Sequence, residues 1–286
     1  MPYIYAMGAV LCWASLPAAI GSGLTGLGVP ALMALSFTSA ALFLYARDVL
    51  VTRSFALYFP GIRASLLGIW GIFFYHFFYY KTMDMAPMAE GTILATTWSF
   101  WIVVFSSLIT FRRLSPAILA TAVLGLAGAA MVIAAGKSLA FESDHLLGYG
   151  LALACGLIWS SFSVILPLMK LKKNPMTTFT IYAALISLIL FWMEPGTALP
   201  GRQALFSAIY LGCVPLGLSF FFWNSALNAG NITIIGYLSY LTPPLAVLLV
   251  SLVHGRPVSA QVLAGMGVIM GAAMLGKIFM GKAGGR

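Results

Sequence analysis

Apolar residues run along this chain in blocks of about 20, the length at which a helix crosses a bilayer. The blocks fall at 3–21, 30–47, 63–83, 87–110, 115–136, 146–168, 175–193, 203–223, 231–252 and 258–276, divided by short polar or Gly/Pro-bearing breaks. The pattern predicts ten transmembrane helices. The weakest break lies between the third and fourth blocks, Lys81 to Glu90, and Pro17 interrupts the first block. Ile72, Tyr75, His76, Tyr79 and Met83 recur at helical spacing and share one stripe. Leu94, Trp98, Trp101 and Phe105 form a second stripe on the next helix. The two stripes can face one another, which leaves Phe73, Phe74, Phe77 and Phe78 for lipid and neighbours. A histidine at such a depth is costly unless it faces protein or water.

The pattern returns after about 144 residues, a shift that recurs between the two halves of the chain. Phe78-Tyr79 corresponds to Phe222-Trp223, and Met83 to Leu227. Pro243-Pro244 in the ninth block stands where the fourth has Ser99-Phe100. Trp13-Ala14-Ser15 is echoed by Trp159-Ser160-Ser161, and Gly128-Ala129-Ala130-Met131 by Gly271-Ala272-Ala273-Met274. The polar stretch 137–145 divides the blocks into two sets of five. Because five is odd, the second set must enter the membrane upside down relative to the first, which gives an inverted repeat. The expected organisation is a first repeat over 1–136, an extracytoplasmic linker over 137–145, a second repeat over 146–280 and a short basic tail over 281–286. Gly267 and Gly271 form a G-x-x-x-G, and Thr121, Gly125 and Ala129 a row of small residues; both are expected to pack helices within the bundle. A monomer is expected rather than a dimer.

Composition agrees and narrows the class. Of 286 residues 62% are hydrophobic and 7% charged, and mean hydropathy is +1.02. Soluble domains are about 25% charged. Ten spans leave only short loops, with no room for a soluble domain. The net charge of +9 does not point to nucleic acid, because the basic residues are scattered singly between spans. They report topology instead. With the N-terminus inside, eleven Lys/Arg lie on the cytoplasmic side and four outside, so both termini are expected in the cytoplasm. The N-terminus does not read as a cleavable signal, since it lacks a basic n-region. Cys12, Cys155 and Cys213 lie inside apolar blocks without metal spacing, and they read as free thiols.

Ten spans, two five-helix halves, the W-[AS]-S echo and the Gly-Ala-Ala-Met echo resemble the drug/metabolite transporter superfamily. Within it, Tyr75-His76, Tyr79 and Trp98 resemble the bacterial aromatic amino acid exporter branch. The resemblance implies an all-α integral membrane protein of the bacterial inner membrane. Its two five-helix inverted-topology repeats would surround a central cavity, and it would export Phe, Tyr or Trp by alternating access.

The residues themselves exclude some chemistry. The chain has no H-E-x-x-H, G-x-S-x-G or Walker A motif, and no pair of acids at membrane depth. No enzyme activity, ATP-driven cycle, metal or other cofactor is predicted. The partners expected are a small-molecule substrate and the lipid bilayer. An organic cation would call for a carboxylate in the cavity. Only Glu90 approaches a span, and it reads as a solvated helix-start acid. A zwitterion or neutral amphiphile fits better. Trp98, Trp159, Trp13 and His76 sit about 7–13 residues from the outer ends of their spans, well inside a core ~30 Å thick. Candidate substrate contacts are Tyr75, His76, Tyr79, Trp98, Trp101, Trp159, Ser239 and Tyr240, through stacking, cation–π and hydrogen bonds. Plain packing is the alternative for each tryptophan. His76 would carry the proton if transport is proton-linked. Pro243 and Pro244 are a candidate hinge, since each lacks an N–H for the carbonyl four residues back. A nucleoside or uncharged drug as substrate, or a channel in place of a carrier, remain open; saturable counterflow separates carrier from channel.

The topology is testable directly. Single cysteines at Ser143 and Asn174, in a background without Cys12, Cys155 and Cys213, should differ towards an impermeant maleimide. Ser143 should label from outside and Asn174 should not; equal labelling contradicts the inverted arrangement.

Overall fold

A computed structural model describes residues 1–16, 27–112, 115–194, 201–255 and 257–284. Pro17, Arg113, Arg256 and Arg286 lie outside the described residues. Every regular element among them is helical. In chain order these are α1 (Pro2–Ala14), α2 (Val29–Thr52), α3 (Ile62–Gly68), a π segment (Ile69–Phe74), α4 (Tyr75–Met85), α5 (Met88–Ala95), α6 (Trp98–Phe111) and α7 (Pro116–Ile133). After a short 3-10 turn (Ser143–His145) come α8 (Leu146–Leu168), α9 (Met176–Met193), α10 (Arg202–Leu211), a second π segment (Gly212–Leu218), α11 (Ser219–Ala229), α12 (Ile232–Ser239), α13 (Thr242–His254) and α14 (Ala260–Gly284). By length and apolarity, eight stretches of the described residues can cross a membrane. They are Val29–Thr52, Met88–Thr110, Pro116–Ile133, Ser143–Leu168, Met176–Met193, Arg202–Ala229, Ile232–Val253 and Ala260–Met280. Pro2–Ala14 is a shorter apolar helix. Residues 62–85 run as one continuous helical stretch through α3, the π segment and α4. The protein is an all-helical, multi-pass membrane protein.

Among the described residues, the long helical stretches depart from straight helix at four places, which pair off. The two π segments occupy corresponding positions at the offset of the sequence repeat. So do two breaks, one at Thr96–Thr97 between α5 and α6, the other at Tyr240–Leu241 between α12 and α13. A π turn widens the helix where a neighbour crowds it, and both segments carry glycine at the point of crowding. A side chain at Gly71 would run into the Phe162 ring, and one at Gly212 into the Ser36 carbonyl of α2.

Packing crosses between the halves of the chain. α7 lies along α14, α2 along α9, α1 against α11 and α4 against α8. The α7–α14 seam is close because Gly128 and Gly265 meet backbone to backbone. Gly125 receives the Tyr240 ring, and Gly276 receives Tyr237, whose hydroxyl lies 2.5 Å from Thr121 Oγ1. The G-x-x-x-G of Gly267 and Gly271 does something else: no atom comes near either Cβ position. That pair faces away from the bundle, contrary to the packing role expected of it, because the helix turns Gly265 and Gly276 inward.

Glu90 also differs from expectation. It is 4% exposed, and its Oε1 accepts the Ala140 N–H at 2.9 Å. The acid is buried because it holds down the linker. His145 Nδ1 adds a second tie, at 3.0 Å from the Met85 carbonyl.

The glycine contrast gives a stability test. Gly276→Val should destabilise the protein by about 1–3 kcal/mol through overpacking against Tyr237. Gly267→Val should change the thermal midpoint little, about 0.5 kcal/mol or less. An equal loss at Gly267 would mean that its face is covered by a second copy.

Candidate substrate site

Four tryptophans from four helices meet near the middle of the bundle: Trp13 of α1, Trp98 at the start of α6, Trp159 of α8 and Trp223 of α11. Trp13 lies 5.2 Å from Trp223, 5.7 Å from Trp98 and 5.8 Å from Trp159 between ring centroids. The other three pairs lie at 5.8–6.4 Å, so every ring touches every other. Most pairs are edge-on or tilted, as the ring quadrupoles prefer.

Local irregularity sets each ring. Gly156 of α8 lets the Thr96–Thr97 break nest against that helix, where a side chain would strike Thr97 Oγ1. Thr97 Oγ1 in turn donates to the Leu94 carbonyl at 2.6 Å, and Trp98 follows at once. Trp13 Nε1 donates to the Pro215 carbonyl, 3.0 Å away in the second π segment. Trp223 Nε1 donates to Ser163 Oγ at 3.0 Å. Trp98 and Trp159 are 7% and 3% exposed, yet their indole N–H groups donate to no described protein group. Two donors on largely buried rings therefore remain for a ligand.

His76 and Tyr75 form the next layer. The Tyr75 ring lies 5.1 Å from Trp159 and 4.8 Å from His76, and it stacks on Tyr79 at 6.1 Å. His76 is buried among Phe37, Tyr80, Trp159 and Phe220. Its Nδ1 lies 2.7 Å from the Ile72 carbonyl within the first π segment. A neutral imidazole donating there keeps Nε2 as an acceptor, so the ring can accept a hydrogen bond from a ligand ammonium or hydroxyl.

Of the residues singled out from sequence, Tyr75, His76, Tyr79, Trp98 and Trp159 come together. Trp101 does not join them; its ring meets Phe100 and Phe105. Ser239 is fully buried between α6 and α12 and donates to Ser99 Oγ at 2.8 Å. Tyr240 sits in a separate apolar cluster with α7 and α14, its hydroxyl donating to the Ala122 carbonyl at 2.9 Å. Pro243 and Pro244 occupy the first turn of α13, where a missing N–H costs nothing. The Ser239 carbonyl is taken by Thr242 Oγ1 at 2.8 Å. Trp223, Phe220 and Phe37 were not singled out. Trp223 had a signal, since the repeat aligns it with Tyr79, and Trp13 had one in its match to Trp159.

Among the described residues, such a site has no acid pair and no group of three metal-ligating side chains. It offers ring faces, two donors and one acceptor. Comparison with known proteins agrees with a binding rather than a reacting centre. The chain is 30% identical over 93% of its length to an aromatic amino acid exporter, YddG, of Ancylobacter novellus, and covers 93% of that protein. It is 25% identical over 113 residues, 40% of its length, to the aromatic amino acid exporter YddG of Salmonella typhimurium, covering 39% of that protein. A crystal structure 28% identical in sequence superposes with a TM-score of 0.86 over 97% of both chains. Residues 146–276 match the model of the EamA-like transporter family. The chain belongs to this family of transporters.

Proposed function

We propose that this protein exports aromatic amino acids, Phe, Tyr or Trp, across the bacterial inner membrane by alternating access. The reading includes ten spans in two five-helix inverted repeats, 1–136 and 146–280, with both termini cytoplasmic. The observation that carries it is the four-tryptophan cluster with two unpartnered indole N–H groups beside His76. An aromatic side chain finds stacking partners there. A carboxylate finds the Trp98 and Trp159 donors, and an ammonium finds ring faces, the Tyr75 and Tyr79 hydroxyls and His76 Nε2. The one buried acid near the spans, Glu90, is engaged with the linker, so nothing favours an organic cation over a zwitterion. The A. novellus relative is named for the same substrate class.

The paired π segments and paired breaks support the repeat. They also support alternation. α12 packs along α6 with Ser99–Ser239 and Ser106–Thr233 hydroxyl pairs, each at 2.8 Å, and Gly236 tucks against Ile102 and Val103. By the repeat, the counterpart of this seam lies between α5 and α13. Closing one seam while the other opens would expose the tryptophans to one side at a time. The four helix segments pivot at Thr96–Thr97 and Tyr240–Leu241. Pro243 and Pro244 keep the second pivot broken, because neither can donate to the carbonyls of Ser239 and Tyr240.

Counterflow in proteoliposomes tests the reading. Labelled Phe or Trp should exchange saturably, and a nucleoside should not compete; a nucleoside moved in place of Phe would overturn the substrate class. Trp98→Phe keeps a ring and removes a donor, so half-saturation should rise roughly ten-fold or more. Trp159→Ala should weaken binding by at least as much, with the protein still folded.

Pro243→Ala with Pro244→Ala restores two N–H groups and lets α12 and α13 fuse into one helix. Transport should fall while insertion and thermal midpoint hold. A wild-type rate would show that the prolines only pack.

A further inference from the structure

A cavity of about 270 Å³ opens between the end of α8, the loop that follows it and α11. It lies away from the tryptophans but shares α11 with them: Trp223 belongs to the cluster, while Asn224 and Asn228 line the cavity. Lys170 adopts the left-handed conformation (φ 47°) just after α8 and folds the loop back. That fold brings Lys172 and Lys173 to the rim. Leu166 and Phe221 form an apolar wall.

Two observations point to a ligand. Neither lysine is in an ion pair; the ion pairs among the described residues are Arg47–Asp48 and Lys81–Asp84. Asn224 is 3% exposed and accepts Asn228 Nδ2 at 2.9 Å through its Oδ1, but its own amide N–H group donates to no described protein group. An unspent amide donor on a largely buried residue that lines a cavity with two unpaired cations is arranged for an anion. Nearby, the Arg47 guanidinium, paired with Asp48, covers the Phe221 ring at 3.7 Å from its centroid. The cavity is near the lower end of ligand-pocket volumes, ~300 Å³, so it suits one small molecule. Cationic rim, amide donor and apolar wall together match an amphipathic carboxylate.

We propose that this cavity is the cytoplasmic loading site of the carrier, where Lys172, Lys173 and Asn224 take the substrate's carboxylate before its ring enters the tryptophan cluster. The inference rests on the export reading and on the inside-positive orientation argued above. A carrier that empties the cytoplasm collects a dilute zwitterion there, and unpaired lysines at the mouth raise its local concentration. The shared α11 places the loading site one residue from Trp223.

The test uses the full chain in phosphatidylcholine vesicles, with labelled phenylalanine varied on the face that carries the 169–175 loop. Lys172→Gln with Lys173→Gln should raise half-saturation on that face on the order of five-fold, at unchanged maximal rate, as expected for exposed charges. Half-saturation of phenylalaninamide, which lacks the carboxylate, should not move. A wild-type half-saturation or an equal shift for phenylalaninamide overturns the proposal. A shift confined to vesicles containing phosphatidylglycerol would assign the lysines to lipid phosphates and also overturn it. If the wild-type protein moves no aromatic amino acid, the export reading fails separately. Calorimetric binding of 3-phenylpropionate, expected in the wild type and lost in the double variant, then still decides the cavity.

Discussion

In a bilayer, a backbone carbonyl that loses its helical partner has no water to turn to, and this constraint explains where the distinctive side chains of this protein are. Departures from straight helix expose carbonyls, and several of these are taken by nearby side chains. His76 takes Ile72, Trp13 takes Pro215, Thr97 takes Leu94 and Thr242 takes Ser239. Ser219 Oγ shares the Pro215 carbonyl with Trp13. Two of these donors, His76 and Trp13, are themselves part of the aromatic centre, and a third, Thr97, immediately precedes Trp98. The irregular backbone and the site are therefore one arrangement: the bends create acceptors, and the acceptors orient the rings.

This coupling also explains how much could be read in the chain itself. The long helices were legible because apolar blocks of bilayer length admit little else, and the offset at which the π segments and the breaks pair was legible in the echoes along the chain. The stripe through Tyr75, His76 and Tyr79 was legible because spacing alone puts residues on one face. Which face meets which was not. Trp101 shares a stripe with Trp98 on the same helix, α6, yet its ring meets Phe100 and Phe105 instead of the other tryptophans. Ser239 and Tyr240 were read as cavity-lining from the proline rule, which says only that carbonyls are freed. It cannot say that Thr242, one turn on, would satisfy one of them. Glu90 looked solvated because its position, at the start of a helix after a proline, is normally wet; only the fold of the linker reveals that Ala140 covers it.

Small residues showed the same limit. A G-x-x-x-G is a statement about spacing, and Gly267 with Gly271 satisfies it while touching nothing. The working glycines, Gly125, Gly128, Gly265 and Gly276, do their packing at separations set by the crossing of α7, α12 and α14. Close approach is a property of two helices at once, so one helix's pattern cannot announce it.

The strapped linker has a mechanical meaning of its own. Ala140 is held by Glu90, His145 by Met85, and Tyr149 at the start of α8 reaches the Ala140 carbonyl and the Glu142 N–H, both at 3.4 Å. A chain of matched halves would rest equally well with either mouth closed. The strap belongs to one side only, so a transition that undoes it must supply that free energy in one direction and recover it in the other. A latch of this kind cannot drive net flow, which only a gradient can do. Under the alternating-access reading proposed above, it would set where the empty carrier waits, and so which mouth the next passenger finds open.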